Sequence, residues 1–258
     1  MRADRMLVER GLAPTRSAAQ RLIAQGAVRW SSARSPQWSQ PSKAGDELPE
    51  DCEVQITDDA ELRWASRAGL KLAGAIEALS ADISLPIMGQ TVLDVGQSTG
   101  GFTDVLLHHG AGHVVGIDVG HGQLLDRLRR DPRVTALEGI NARELHRAQL
   151  GRACPETGFG FIVGDLSFIS QTLVWPALAP LLARDGMLLM LVKPPFELQP
   201  QHIGKGGLVK PNAPLPAMRE RLHAAAQACG LSVRRWLDSP VAGGSGNREF
   251  FILLQAQP

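Results

Sequence analysis

Seven short apolar runs govern what most of this chain can become: residues 91–95, 113–118, 133–138, 159–164, 187–193, 231–238 and 248–255. The first five alternate with stretches of helical pattern, the signature of an open parallel sheet covered on both faces. Only a Gly/Ser-rich turn around residues 243–246 separates the last two, which leaves no room for a crossover helix, so they must run antiparallel. The expected fold class is α/β, a Rossmann-like, mostly parallel seven-stranded sheet that ends in an antiparallel hairpin. No internal repeat interrupts it.

Ahead of this sheet domain, placed at residues 60–258, residues 1–59 read as a small α+β domain with its linker. Residues 2–10 form a helix with Met6 and Leu7 inward and Gly11 as its stop; residues 16–25 form a second, opened by Thr15 and closed by Gly26. Only Leu12, Ala13 and Pro14 lie between, so the helices pack together on Leu7, Leu12, Ala19, Leu22 and Ile23 and leave Arg5, Arg16 and Arg21 free outside. Residues 27–30 start a strand, and the Ser/Pro-rich stretch Ser31 to Ser42 is either a loop of this domain or a linker.

Overall charge is +1, yet residues 1–43 carry eight Lys/Arg against Asp4 and Glu9, a local +6 that leaves −5 on the rest. A basic head of this kind suits a polyanion, with a merely solvated basic face as the alternative. Arg2, Arg5, Arg16 and Arg21 are the candidate contacts to such a polyanion. Cys52, Cys154 and Cys229 form no CxxC pair, so neither a disulfide framework nor a metal site is expected. Charged residues occupy the place of a signal peptide and no apolar run approaches a membrane span, which points to a cytoplasmic protein.

The strand at 91–95 runs into Gly96-Gln-Ser-Thr-Gly-Gly101 and then a helix. Glycines at such a turn let backbone approach a ligand, and the helix N-terminus favours an anionic group. Asp94, Gly96, Ser98, Thr99, Gly100 and Gly101 are therefore candidate cofactor contacts. Asp118, ending the second strand 22 residues after Gly96, is placed to accept from ribose hydroxyls. Asn141 beyond the third strand suits an adenine, and Asp165 follows the fourth. The turn reads GxxxGG and not GxGxxG, and with the terminal hairpin this favours S-adenosylmethionine over a nicotinamide cofactor. The sheet then looks like the class I methyltransferase fold.

Transfer of a methyl group to a hydroxyl requires in-line approach and help with a poorly acidic proton. Lys193 ends the very apolar strand 187–193 and is followed by Pro194, Pro195 and Phe196. Lys71 lies on a helix over residues 70–79, Asp165 opens Asp-Leu-Ser-Phe-Ile-Ser170, and Glu249 begins the last strand. Singly, each has an ordinary surface or strand-end explanation.

Together the residues carry a resemblance. Arg2 to Leu12 and Thr15 to Val28 resemble the S-four-type RNA-binding domain, departing where Trp30, Ser31 and Ser32 replace the usual Asn-Gly turn. The set Ser66–Lys71, Leu93–Asp104, Gly116–Leu124, Asp165–Ser170, Val192–Glu197 and Gly246–Phe250 resembles the TlyA family of rRNA methyltransferases over nearly the whole chain. That resemblance implies a catalytic domain similar to the FtsJ-type ribose 2′-O-methyltransferases and a Lys-Asp-Lys-Glu tetrad of Lys71, Asp165, Lys193 and Glu249. Lys193 is then the base, or the group that aligns the 2′-oxygen, with its pKa lowered by Lys71. Asp165 holds Lys193 near the methyl sulfonium, and Glu249 orients Lys71 or the ribose. The implied partner is ribosomal RNA or a ribosomal subunit, at a cytidine ribose.

Gln97 stands where the family usually has alanine and Pro195 where it has glutamine. The segment Gly204-Lys-Gly-Gly-Leu-Val-Lys210 is a mobile lid, an RNA-contacting loop or a plain loop. Two other readings compete: a cytolysin, since family members have been labelled haemolysins, which requires an amphipathic or apolar membrane segment; and a non-catalytic RNA-binding assembly protein, which requires a broken tetrad or a blocked glycine turn.

Overall fold

The computed structural model describes residues 1–24, 26–33, 35–57 and 62–257. The chain divides into two compact units, Met1–Arg67 and Ala68–Pro258; the expected boundary between residues 59 and 60 lies outside the described residues.

In the first unit, α1 (Ala3–Glu9) and α2 (Arg16–Ala24) pack beside a three-stranded antiparallel sheet of order β2-β1-β3, formed by β1 (Val28–Ser32), β2 (Ser35–Ser39) and β3 (Glu53–Ile56). Thr15 caps α2 as expected, its Oγ1 accepting from the Ala18 N–H at 3.2 Å. Met6, Leu7, Ala19, Leu22 and Val28 form the buried core, with Leu12 at its margin.

Two features depart from the sequence reading. Ser31 to Ser42 is neither plain loop nor linker, because most of it pairs as the β1–β2 hairpin, with Trp30 opposite Ser39 and Ser32 opposite Ser35. Its sequence hides this because a small hairpin with one open face needs few apolar residues. The short β3 has no clear sequence signal either: its residues alternate between exposed and half-buried, and pairing with β1 defines it.

The second unit is the expected seven-stranded sheet, with β4 (Thr91–Val95), β5 (His113–Asp118), β6 (Val134–Glu138), β7 (Phe159–Gly164), β8 (Leu182–Val192), β9 (Leu231–Asp238) and β10 (Phe250–Ala256). Their order is β6-β5-β4-β7-β8-β10-β9. Helices α3 (Arg67–Ser80), α4 (Gly101–His108) and the short α5 (Asp126–Arg129), α6 (Arg147–Leu150), α7 (Trp175–Leu178) and α8 (Pro194–Glu197) lead to the long α9 (Leu215–Ala228). Trp175, Phe159, Leu93, Ile162, Met190 and Ile252 are among the fully buried side chains of its core.

The hairpin is more specific than expected. β10 inserts between β8 and β9 and is antiparallel to both. The carboxyl ends of the parallel strands share one edge of the sheet, where ligands of such folds bind. Because β10 alone is reversed, its first residue, Phe250, pairs with Val192 at the end of β8. Chain reversal thus delivers Glu249 to the edge where Lys193 emerges.

Candidate active site

A cavity of about 480 Å³ opens at this edge, lined by Gly96, Ser98, Asp118, Asn141 and Asp165 of the expected cofactor set. The turn after β4 reaches it by close approach. A Cβ on Gly96, whose φ is +86°, would stand 2.5 Å from the Asp165 carbonyl, so only glycine lets the turn lie against the end of β7. Asp118 fixes the turn from the other side, its carboxylate accepting from the N–H groups of Ser98 at 2.8 Å and Gly120 at 2.7 Å. Asn141 accepts from the Arg143 N–H and lines the cavity beside Ile140 and Ala142.

The rest of the expected set stands behind the wall. Asp94 is wholly buried, with its Oδ2 accepting from Thr103 Oγ1 at 2.7 Å, and burial pushes its carboxyl up to about 7. It ties β4 to α4 and so supports the turn from beneath. Thr99, Gly100 and Gly101 form the turn and the start of α4 without lining the cavity. Gln97 points the same way as Asp94: it is buried and donates to Thr103 Oγ1 at 2.9 Å. Its departure from the family pattern therefore adds a link to this buried chain.

A second cavity of about 310 Å³ shares Ser167 and Phe168 with the first and is further lined by Lys193, Pro195, Phe196, Asn247 and Glu249. The four residues of the expected tetrad form two ion pairs, and of the four Lys193 and Glu249 line this cavity. Lys71 donates to Glu249 Oε2 at 2.6 Å, with both side chains nearly buried, and Lys193 Nζ lies 2.5 Å from Asp165 Oδ1. Lys193 also donates to Ser167 Oγ at 2.9 Å. Asp165 Oδ1 is buried and close to Lys193, but no donor is aligned on it as a hydrogen bond. Asp165 lines the first cavity and Lys193 the second, so this ion pair stands where the two adjoin.

Pro195 fits without strain. Pro194 and Pro195 occupy the first positions of α8, where a helix needs no N–H donors. The Gly204–Lys210 segment is hydrogen-bonded to its surroundings: Ile203 bridges Val209, and the Asn247 amide donates to the Gly207 carbonyl and accepts from the Val209 N–H.

Phe168 is a site residue that sequence reasoning misses. It is 91% exposed, adopts φ +64° and lines both cavities. Val119, 71% exposed, lines the first. Large apolar side chains in the open at the mouth of polar cavities are the available signal, and only the fold shows their exposure.

On the first unit the basic residues are not free. Asp4 is completely buried and gathers Arg2, Arg16 and Gln20: Arg2 donates to both carboxylate oxygens, and Arg16 and Gln20 donate to Oδ2 at 3.0 and 2.9 Å. Arg2, foremost among these donors, holds the Asp4 carboxyl well below the usual carboxylate range. Both guanidiniums still keep about half of their side-chain surface exposed. Arg5 pairs with Glu9 one turn away, and Arg21 is likewise engaged. Arg10, part of the basic count, donates to the carbonyls of Glu50 and Cys52 and serves the fold.

A reversed strand in a mostly parallel sheet, a glycine turn beneath a cavity and a Lys-Asp-Lys-Glu cluster together define a class I methyltransferase. The chain belongs to the FtsJ-like methyltransferase family, which it matches over residues 64–256, and within it to the TlyA group; residues 1–29 match the S4 domain. It is 40% identical to the 16S/23S rRNA (cytidine-2′-O)-methyltransferase TlyA of Mycobacterium tuberculosis, over 99% of this chain and 90% of the relative. It is 33% identical to Hemolysin A of Brachyspira hyodysenteriae, over 97% and 98% of the two chains. A solved structure from Streptococcus thermophilus, provisionally named a hemolysin, superposes with a TM-score of 0.74 at 35% identity, over 100% of this chain and 88% of that one.

Proposed function

We propose that this protein is an S-adenosylmethionine-dependent methyltransferase that modifies a ribose 2′-hydroxyl of ribosomal RNA, at a cytidine. The observation that carries this reading is the Asp165–Lys193 pair between two adjoining cavities: one cavity suits a cofactor, the other an acceptor, and the pair stands between them. Likeness to the mycobacterial enzyme supports the acceptor.

The cofactor fits the first cavity. Asp118 offers carboxylate oxygens to ribose hydroxyls, Ile140, Ala142, Leu166 and Ile169 offer apolar walls to a base, and Asp165 sets a negative charge in the wall for the electropositive methyl sulfonium region. When bound, S-adenosylmethionine supplies an activated methyl group. Lys193, anchored by Asp165 and Ser167, keeps donor capacity for the 2′-oxygen and holds it in line. Pairing with a carboxylate favours alignment as the role of Lys193 over that of a free base. The hydroxyl proton becomes strongly acidic as the oxygen bonds to carbon and leaves to solvent or to the Asp165 carboxylate. The Lys71–Glu249 pair sets the far wall, and Phe168 presents an open face on which an unstacked base can lie.

Arg2 and Arg16, splayed by Asp4, give the S4 domain a fixed basic face for phosphates. The cytolysin reading gains nothing, since among the described residues no helix is long and apolar enough to cross a membrane. The test is methyl transfer from labelled cofactor to ribosomal subunits and naked rRNA that lack the modification. Label mapped to a ribose 2′-oxygen upholds the reading. Label on a base, or cofactor binding without transfer to any ribosomal RNA, refutes it.

A further inference from the structure

The tetrad pair Asp165–Lys193 sits on two loops, and a residue outside the tetrad fastens those loops together a second time. Glu197 lies four residues after Lys193, at the end of α8, with its side chain 1% exposed. Its Oε1 accepts from the Gln171 N–H at 2.7 Å, and its Oε2 accepts from Ser170 Oγ at 2.7 Å and Arg221 Nη2 at 2.7 Å. Arg221, on α9, also donates to the Glu197 carbonyl at 2.9 Å. Ser170 and Gln171 follow Asp165 by five and six residues.

The other contacts between the loops run the same way. Gln171 Nε2 donates to the Leu191 carbonyl at the end of β8, at 3.0 Å, and the rings of Phe168 and Phe196 stand 5.0 Å apart. A buried carboxylate on one loop with three donors from a second loop and a helix is a strong geometric constraint, because charge-assisted bonds are short and directional and the burial cost is met only when all are made. Glu197 itself lines neither cavity, so it does not touch the reacting groups.

We infer that Glu197 is a positioning residue for methyl transfer: it locks the Asp165–Gln171 loop to the Lys193–Glu197 turn and thereby sets the distance and angle of Lys193 to the acceptor oxygen. This inference rests on the methyltransferase reading above. Glu197→Gln preserves shape but replaces one acceptor oxygen with a donor, which must then face the Gln171 N–H or the Ser170–Arg221 side. Because small misplacements of reacting groups are costly, kcat falls by about tenfold or more while KM for cofactor and RNA holds.

The experiment uses the full-length chain with undermethylated ribosomal subunits. Activity of the parent protein is measured first; an inactive parent removes the functional reading and this inference with it. With an active parent, Glu197→Gln is compared for kcat, both KM values, the pH dependence of kcat and the melting temperature. A double-mutant cycle with Ser167→Ala, which removes the hydroxyl that receives the Lys193 proton donor, tests whether the two act through the same group.

The expected result is a lower kcat with unchanged KM values, a displaced pH profile, and non-additivity with Ser167→Ala. Parental kcat, a fall that matches the loss of folded protein, or strict additivity overturns the inference. Should Glu197→Gln fail to fold, Ser170→Ala removes one donor alone; it must show the same pattern more weakly, and parental kcat in that variant also overturns the inference.

Discussion

Lys71 and Glu249 stand 178 residues apart in the chain and 2.6 Å apart in the fold. Gly243 makes room for that meeting: a Cβ there would stand within hard contact of Glu249 Oε1. Gly243→Ala should therefore swing the carboxylate off Lys71 and leave a buried, unpaired ammonium, a defect that costs about 3–5 kcal/mol. Loss of both thermal stability and methyl transfer, with cofactor affinity retained in the folded fraction, is the expected outcome. Parental turnover would show that the pair is dispensable.

Lys193→Ala should abolish methyl transfer and leave RNA binding nearly unchanged, because the side chain is spent on Asp165, Ser167 and the second cavity. Single-turnover transfer and a filter-binding assay separate the two. Normal turnover in this variant would remove Lys193 from the chemistry.

The S4 domain gives a salt-dependent prediction. Removing Arg2 and Arg16 together should weaken RNA binding and lower the slope of log affinity against log salt by about one unit for each phosphate no longer neutralised. Asp4→Asn, which leaves both arginines present but releases their common anchor, should also weaken binding, with a smaller change in slope. Binding measured across a salt series decides the matter, and an unchanged slope in the double arginine variant counts against this face.

Asp94 makes the second unit's stability fall as pH rises. Its carboxyl holds a proton up to about pH 7 in the fold but would release it near the ordinary value of 3.8 when unfolded. The unfolded state therefore binds fewer protons between these values, and stability present at low pH is lost as pH climbs through about 7. Asp94→Asn should flatten this limb, an effect of at most a few kcal/mol. Melting curves at pH 5 and pH 7.5 test it: the variant must lose less stability over that interval than the parent. Asp4 acts in the opposite direction, since its depressed carboxyl withdraws stability only at strongly acid pH.

Buried parallel strands are written as apolar runs between turn signals, so the sheet is legible in the sequence, and β9 spans the very residues its pattern predicts. β2 and β3 are harder, since small strands with exposed faces carry little apolar signal. The tetrad is visible through the resemblance of its motifs, whereas its organisation into two ion pairs is not, because pairing depends on strand order and β10 departs from sequence order. The same limit explains Asp94: its place in the motif suggests a ligand contact, but the alternation of strand side chains turns it toward α4. Arg5 and Arg16 look free because helix periodicity shows which face is outside and says nothing of what covers it.

The insertion of β10 between β8 and β9 also carries a consequence for folding. Residues up to β9 lack the strand that joins β9 to the sheet, and they lack Glu249, the partner of Lys71. The Lys71–Glu249 pair needs the strand that follows Glu249 to fill that slot, which closes contacts of long sequence separation, the kind that form slowly. Formation of the Lys71–Glu249 pair is thus coupled to completion of the sheet, so the pair cannot exist in a fold that lacks its reversed strand.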